Sequence, residues 1–191
     1  MDPMSRRAAL TLAAGGAGAG LAALVAACDG DGDDPQDTTQ TISPERKRGD
    51  AAALASLLDL ERTATIAYGA MRRRLGPLAG AFLDHERAHE RALEKALSSL
   101  GVEPEPPRPR SAYASDFPPL RSREEALRFA QDVEETQIAA YGDAVPTLFT
   151  PELRVTVATI LAVQAEHLAV VLGELDEPQA PRPFVVGEPP E

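Results

Sequence analysis

The stretch DLERTATIAYG (residues 59–69) recurs as DVEETQIAAYG (residues 132–142), with Asp, Glu, Thr, Ala, Tyr and Gly in matching places. Glu61 and Glu134, like Tyr68 and Tyr141, stand 73 positions apart, so the chain carries an internal duplication. Around the first copy, Leu54, Leu57, Ala64, Tyr68, Met71 and Leu75 recur at steps of three and four, the spacing of one buried helical face. Glu61 falls on that face. Glu134 does the same among Leu127, Ala130, Ile138 and Tyr141. A glutamate at a core position twice over is not an accident of one helix.

Each of these helices is followed by a second with a polar interruption. In DHERAHERAL (residues 84–93) the buried face runs Leu78, Phe82, Glu86, His89, Leu93, Leu100. In VQAEHLAVV (residues 163–171) it runs Leu153, Val157, Ile160, Gln164, His167, Val171, with Gln where the first copy has Glu. Residues three apart are neighbours on a helix, so Glu86–His89 and Gln164–His167 each present a pair to one side. Glu61, Glu86, His89, Glu134, Gln164 and His167 should therefore meet in the middle of a bundle.

A buried unpaired charge costs several kcal/mol even after relaxation, against a net domain stability of roughly 5–15 kcal/mol. Three such carboxylates must share protons, bond to the histidines or bind cations. Carboxylate oxygen with imidazole suits iron, manganese or zinc, and a carboxylate can bridge two ions.

The punctuation of the chain predicts four helices. The first runs from about Asp50, read as its N-cap, to Leu75, where Gly76-Pro77 breaks it. The second spans about 78–100. A Pro-rich crossing, VEPEPPRPRSAYASDFPPLR, follows. The third opens with the capping box Ser122-Arg123-Glu124-Glu125 and runs to about Val145, and Thr150-Pro151 opens the fourth, which ends near Leu175. Short turns within each pair and one long crossing between pairs predict an all-α, antiparallel four-helix bundle of two hairpins over residues 50–176.

The composition agrees. With no Trp, 4% aromatic residues and a net charge of −11, the 191-residue chain suits helices and excludes a nucleic-acid partner, which needs a basic face. Residues 1–28 read as a signal peptide: Ser5-Arg6-Arg7 resembles a twin-arginine export signal, and Val25-Ala26-Ala27-Cys28 resembles a lipobox. An Ala/Gly-rich run makes a poor membrane span, so cleavage is the better reading. Cys28 is the only cysteine in the chain, which excludes an intramolecular disulfide and leaves it the role of lipid carrier. Residues 29–49 read as an acidic tether, their DGDGDD lacking the ligand spacing of a calcium loop, and 177–191 as a Pro-rich tail. The expected location is the outer face of the cell membrane, with the membrane as partner through lipidated Cys28.

The order Glu / Glu-x-x-His / Glu / Gln-x-x-His over four helices with a long middle crossover resembles the ferritin-like superfamily of di-iron carboxylate proteins. With its export signal, the chain is most similar to exported ferritin-like domain proteins of bacteria. The resemblance implies one ion on Glu61, Glu86 and His89, a second on Glu134 and His167, and Glu86 bridging them. It implies iron, di-iron or mononuclear, with manganese or zinc as other candidates, and ferroxidase or peroxidase-type activity. Tyr68 and Tyr141 would then hydrogen-bond a ligand or carry a radical, the plainer expectation being a hydrogen bond to the opposing glutamates. Gln164 departs from the pattern, a neutral amide being a poor bridge, and this predicts a weaker or vacant second site. Glu166 lies one residue off the stripe; His85 and Glu90 turn to the flanks, toward solvent or a neighbouring helix.

The contrasting reading is a metal-free bundle, a structural or binding lipoprotein whose Glu–His pairs form a hydrogen-bonded network with no cofactor. A storage shell fits poorly with a lipid anchor and an acidic tether. A homodimer is compatible with the sequence, which identifies no protein partner. Arg72, Arg73 and Arg74 suit the helix dipole at a C-terminus better than a lipid surface.

Overall fold

The structure is a computed structural model and describes residues 42–181. The expected signal peptide, Cys28, most of the tether and residues 182–191 lie outside the described residues. Four long helices, α1 (Pro44–Leu75), α2 (Pro77–Ser99), α4 (Arg123–Ala144) and α5 (Pro151–Glu174), form the expected all-α bundle, and a single turn, α3 (Arg110–Tyr113), interrupts the crossing.

The breaks fall where the local chemistry puts them. Gly76 adopts φ 58°, a conformation side-chained residues rarely take, and Pro77 then opens α2 at the first position, where no N–H is needed. Ser122 and Glu125 close their capping box: the Ser122 hydroxyl accepts from the Glu125 N–H at 3.0 Å, and the Glu125 carboxylate accepts from the Ser122 N–H at 3.1 Å. Pro146 sits in a 3₁₀ turn, Val145–Thr147, that separates α4 from α5.

One boundary differs from the expectation. α1 starts at Pro44, so the segment 44–49 belongs to the helix and not to a tether. Ser43 is its cap, accepting from the Arg46 N–H at 3.3 Å, with Pro44 at the first position and Glu45 in the first turn. Asp50 caps a different helix. It is fully buried, and its carboxylate accepts from the Phe149 N–H at 2.7 Å, the Thr150 N–H at 3.0 Å and the Thr150 hydroxyl at 2.5 Å. Thr150, the expected cap of α5, gives its hydroxyl to Asp50 instead of to its own helix. A carboxylate at the start of α5 is also favoured by the helix dipole.

These contacts fix the helix directions. Asp50 sets the start of α5 beside the start of α1. At the other end, Arg123 Nη1 donates to the Arg74 carbonyl at 3.4 Å and Arg74 Nε to the Leu120 carbonyl at 3.0 Å, which sets the start of α4 beside the end of α1. α4 therefore runs antiparallel to α1, and the crossing must travel the length of the bundle. It is pinned along α1 by Arg62, which donates to the Glu105 carbonyl at 2.9 Å, and by Arg108, whose guanidinium meets Asp59 at 2.6 Å and lies 4.4 Å from the Tyr113 ring centre.

The apolar core is divided. One cluster, with Leu54, Leu57, Leu93, Leu97, Val157 and Ile160, fills the end where α1 begins. The other, with Tyr68, Met71, Leu75, Phe82, Leu127 and Val171, fills the opposite end. Between them lies a layer that is almost wholly polar. Asp50→Ala is expected to destabilise the fold by about 2–3 kcal/mol, because it strips three hydrogen bonds from the segment that starts a helix. The urea midpoint should fall with an unchanged slope, and Thr150→Val, which removes one of the three, should cost about 1 kcal/mol.

Candidate metal centre

The polar layer takes one face from each long helix. α1 supplies Glu61, α2 supplies Glu86 and His89, α4 supplies Glu134 and Gln137, and α5 supplies Gln164 and His167. Glu61, Glu86, Glu134, Gln137 and Gln164 are completely inaccessible to solvent, and both histidines are buried. The duplication appears directly in the hydrogen bonding. Tyr68 donates its hydroxyl to Glu134, and Tyr141 donates to Glu61, each tyrosine reaching the glutamate of the other hairpin. This is the plainer of the two tyrosine roles expected from the sequence. Burial and the adjacent carboxylates push both phenols above the usual tyrosine range, so each hydroxyl keeps its proton and acts as a donor.

Two groups of donor atoms share one residue. Glu61, Glu86 and His89 bring ligand atoms within 4.8 Å of one another, and so do Glu86, Glu134 and His167. His89 Nδ1 is 3.5 Å from Glu61 Oε2 and 3.5 Å from Glu86 Oε2. His167 Nδ1 is 3.3 Å from Glu86 Oε1 and 3.5 Å from Glu134 Oε1. One Glu86 oxygen thus faces each histidine. These separations are long for charge-assisted hydrogen bonds, about 2.7–2.9 Å, but near the ~3.0–3.4 Å between neighbouring ligands of an ion with bonds of about 2.1 Å. Glu61 Oε2, Glu86 Oε1, Glu134 Oε2, Gln164 Oε1 and His167 Nδ1 are buried without a hydrogen-bond partner. Orphaned acceptors beside imidazole nitrogen, from a set of hard oxygens and borderline nitrogens, fit a first-row divalent metal.

Protons hold the charge in the absence of metal. Burial pushes the Glu61 and Glu134 carboxyls above the usual range. Burial acts in the same direction on Glu86, but His167 and His89 outweigh it and hold this carboxyl below the usual range. Burial disfavours charge on the histidines too, yet the facing glutamates push both up to about 9. A metal would have to displace these protons.

Two participants were missed by the sequence reading. Gln137 follows Glu134 by three positions on the same stripe, and that spacing was the available signal; it accepts from Gln164 Nε2 at 2.8 Å. His85 is exposed and touches the neighbouring helix, as expected of a flank residue, but the contact is with His167: their Nδ1 and Nε2 atoms are 2.9 Å apart and the rings stack with centres at 5.2 Å. Phe82 stacks on the same His167 ring at 3.9 Å. With Nε2 taken by His85, His167 turns Nδ1 to the carboxylates. All three histidines of the chain are therefore at this centre. Glu90 accepts from Thr65 outside the layer, and Glu166 is exposed. The Gln164 amide nitrogen lies against Glu61, Glu86 and His89, so the handicap expected of the Glu134–His167 group falls on the other one.

A family model described as a ferritin-like domain matches residues 44–177. No curated protein matches the chain. Among solved structures, a ferritin like, diiron-carboxylate protein of Bacillus anthracis str. Ames shares the fold at 21% identity, TM-score 0.59, covering 70% of this chain and 99% of its own. The conserved hypothetical protein rv2844 of Mycobacterium tuberculosis does so at 20% identity, TM-score 0.57, with coverage of 70% and 99%. The hypothetical protein MJ0754 of Methanococcus jannaschii DSM 2661 does so at 16% identity, TM-score 0.60, with coverage of 76% and 89%.

The proton load gives a pH dependence. His89 and His167 rise from 6.5 to about 9 on folding, and Glu61 and Glu134 also rise, so the folded chain holds protons that the unfolded chain has released. The stability from the histidines is complete below 6.5 and is lost as pH climbs through about 9, and the two raised glutamates act in the same direction from 4.5 upward. Glu86, held low, has the opposite sign and loses its contribution only in acid. The chelator-treated chain is expected to melt at a higher temperature near pH 6 than near pH 9; urea or thermal unfolding at the two values checks it, and a chain more stable in base would contradict it.

Proposed function

The chain belongs to the ferritin-like domain family, and we propose that it is an exported, lipid-anchored metalloprotein that binds a transition metal, iron foremost, in the centre of its bundle. The observation that carries the reading is Glu86: fully buried, with one oxygen toward each histidine and shared by both donor groups. The similarity in fold to a protein described as ferritin like and diiron-carboxylate is in keeping with it. Manganese and zinc are accommodated by the same donors.

Bound iron would supply redox chemistry toward O₂ or a peroxide, which makes ferroxidase or peroxidase-type activity the reading for the reaction class. The surrounding residues have definable parts in it. Glu86, common to both groups, would hold metal together with Glu61 and His89 on one side and Glu134 and His167 on the other, the histidines offering neutral nitrogen once their protons leave. Tyr68 and Tyr141 hold the outer carboxylates by donating to them, and His85 with Phe82 holds the His167 ring. The apolar clusters above and below keep water out, which strengthens each electrostatic contact between them.

The metal-free scaffold has one observation in its favour. Tyrosine hydroxyls and the Gln164 amide already satisfy part of the carboxylate oxygen. Melting of the full chain with and without Fe²⁺ under anaerobic conditions separates the two. Metal at about 100 times its Kd is expected to stabilise the fold by about 2.7 kcal/mol, and Glu86→Gln should abolish the gain. An unchanged melting temperature leaves the scaffold reading.

Export and anchoring rest on Arg6, Arg7 and the Val25–Cys28 segment, and the membrane is the partner they imply. The Cys28→Ser chain expressed in a bacterial host is expected to move from the detergent phase to the aqueous phase on partitioning; retention in the detergent phase would exclude lipid at Cys28 as the anchor.

A further inference from the structure

Gln164 and Gln137 make the two donor groups unequal. Gln164 Nε2 stands 3.3 Å from Glu61 Oε1, 3.2 Å from Glu86 Oε2 and 3.4 Å from His89 Nδ1, where the first group converges. An amide nitrogen carries two hydrogens and no lone pair free for a metal, so it cannot serve as a ligand. It fills part of the role of a cation by donating to carboxylate oxygens, without carrying a full charge.

The present orientation of the amide is held chiefly by Gln137 Oε1, which accepts from Gln164 Nε2 at 2.8 Å. Reversal would set Gln164 Oε1 against the oxygens of Glu86 and Gln137, the latter at 2.8 Å from the present nitrogen position. Relieving that would require Gln137 to turn as well, and Gln137 Nε2 already faces Glu86 Oε2 at 3.5 Å. The two amides are locked as a pair, with Gln137 holding Gln164 in its donating orientation.

The second group differs in having no amide nitrogen among its ligand atoms. Glu86 Oε1, Glu134 Oε2 and His167 Nδ1 all lack a hydrogen-bond partner, and neither glutamine amide donates to Glu134 or to Glu86 Oε1. Ligand atoms from three helices converge there, with Glu86 Oε1 and Glu134 Oε1 at 3.3 and 3.5 Å from His167 Nδ1, and the His167 ring is already fixed by His85 and Phe82.

We infer that the centre takes a single divalent transition-metal ion, on Glu86, Glu134 and His167, and that the Gln137–Gln164 amide pair closes the Glu61–Glu86–His89 group to metal. This rests on the metal-binding reading above and assigns its stoichiometry and place. Gln164 acts as the determinant of how many ions enter: its amide and the Tyr141 hydroxyl both donate to Glu61 Oε1, which leaves Glu61 Oε2 without a partner.

The test loads the full chain with Mn²⁺ after chelator treatment, removes the excess and measures metal per chain by elemental analysis, with electron paramagnetic resonance to distinguish an isolated ion from a coupled pair. One ion per chain with the six-line spectrum of isolated Mn²⁺ is expected. Glu134→Gln should weaken binding by about tenfold or more, Glu61→Gln should keep one ion, and Gln164→Glu should admit a second. Circular dichroism of each variant verifies the fold, and the Glu61→Gln and Glu134→Gln pair decides the matter even where Gln164→Glu fails to fold. Two ions in the unaltered chain, or one ion lost in Glu61→Gln and kept in Glu134→Gln, would overturn this inference and leave the metal reading standing; a folded Gln164→Glu chain that still takes one ion would overturn the role of the amide. No bound ion at all would overturn both.

Discussion

Three carboxylates and two imidazoles confined to one buried layer are the constraint around which the rest of this bundle is arranged. Like charges at such distances cannot all be ionised in a medium of low dielectric. The molecule meets the constraint with proton sharing among Glu61, Glu134 and the histidines, with two tyrosine hydroxyls, and with the donating amide of Gln164. The apolar clusters on either side provide the hydrophobic stabilisation against which this arrangement is held. Helix directions follow from the same need, since only the α1–α4 antiparallel arrangement lets each tyrosine reach the other hairpin's glutamate.

Much of this was legible in the sequence because it is local or periodic. The duplicated Glu-to-Tyr spacing, the Glu-x-x-His and Gln-x-x-His pairs and the Gly-Pro break each report a helical face or an end, and the structure brings Glu61, Glu86, His89, Glu134, Gln164 and His167 into one layer. The start of α1 was misread because the charged run ERKR resembles a solvated tether, while Ser43-Pro44-Glu45 carried the proper cap signals. Asp50 was read as the cap of its own helix because its actual partners are a hundred residues away. His85 lay off the stripe and still reached His167, since a helical side chain leans toward the preceding turn and onto a neighbour.

The duplication is close to symmetric in its outer contacts and asymmetric at its heart. Tyr68–Glu134 and Tyr141–Glu61 mirror each other. Gln137 has Ala64 as its counterpart, and Gln164 has Glu86. A repeat-based reading predicts the symmetric part and passes over Gln137 because its counterpart is mute. Which of the two groups the Gln164 amide faces depends on rotamers and on Gln137, neither of which a one-dimensional pattern contains.

The Asp50 clamp has a consequence for how the chain assembles. Each hairpin closes over a short turn, whereas the bonds joining the hairpins span 66 residues for Tyr68–Glu134, 80 for Tyr141–Glu61 and 100 for Asp50–Thr150. Local closure is entropically cheap and fast; long closures come after it. Loop-closure entropy therefore favours the two hairpins ahead of their docking, one carrying Glu61 and Glu86 and the other Glu134 and His167. It is the docking of the hairpins that buries Glu61, Glu86 and Glu134 in one layer, so the polar centre exists only once the longest closures are made.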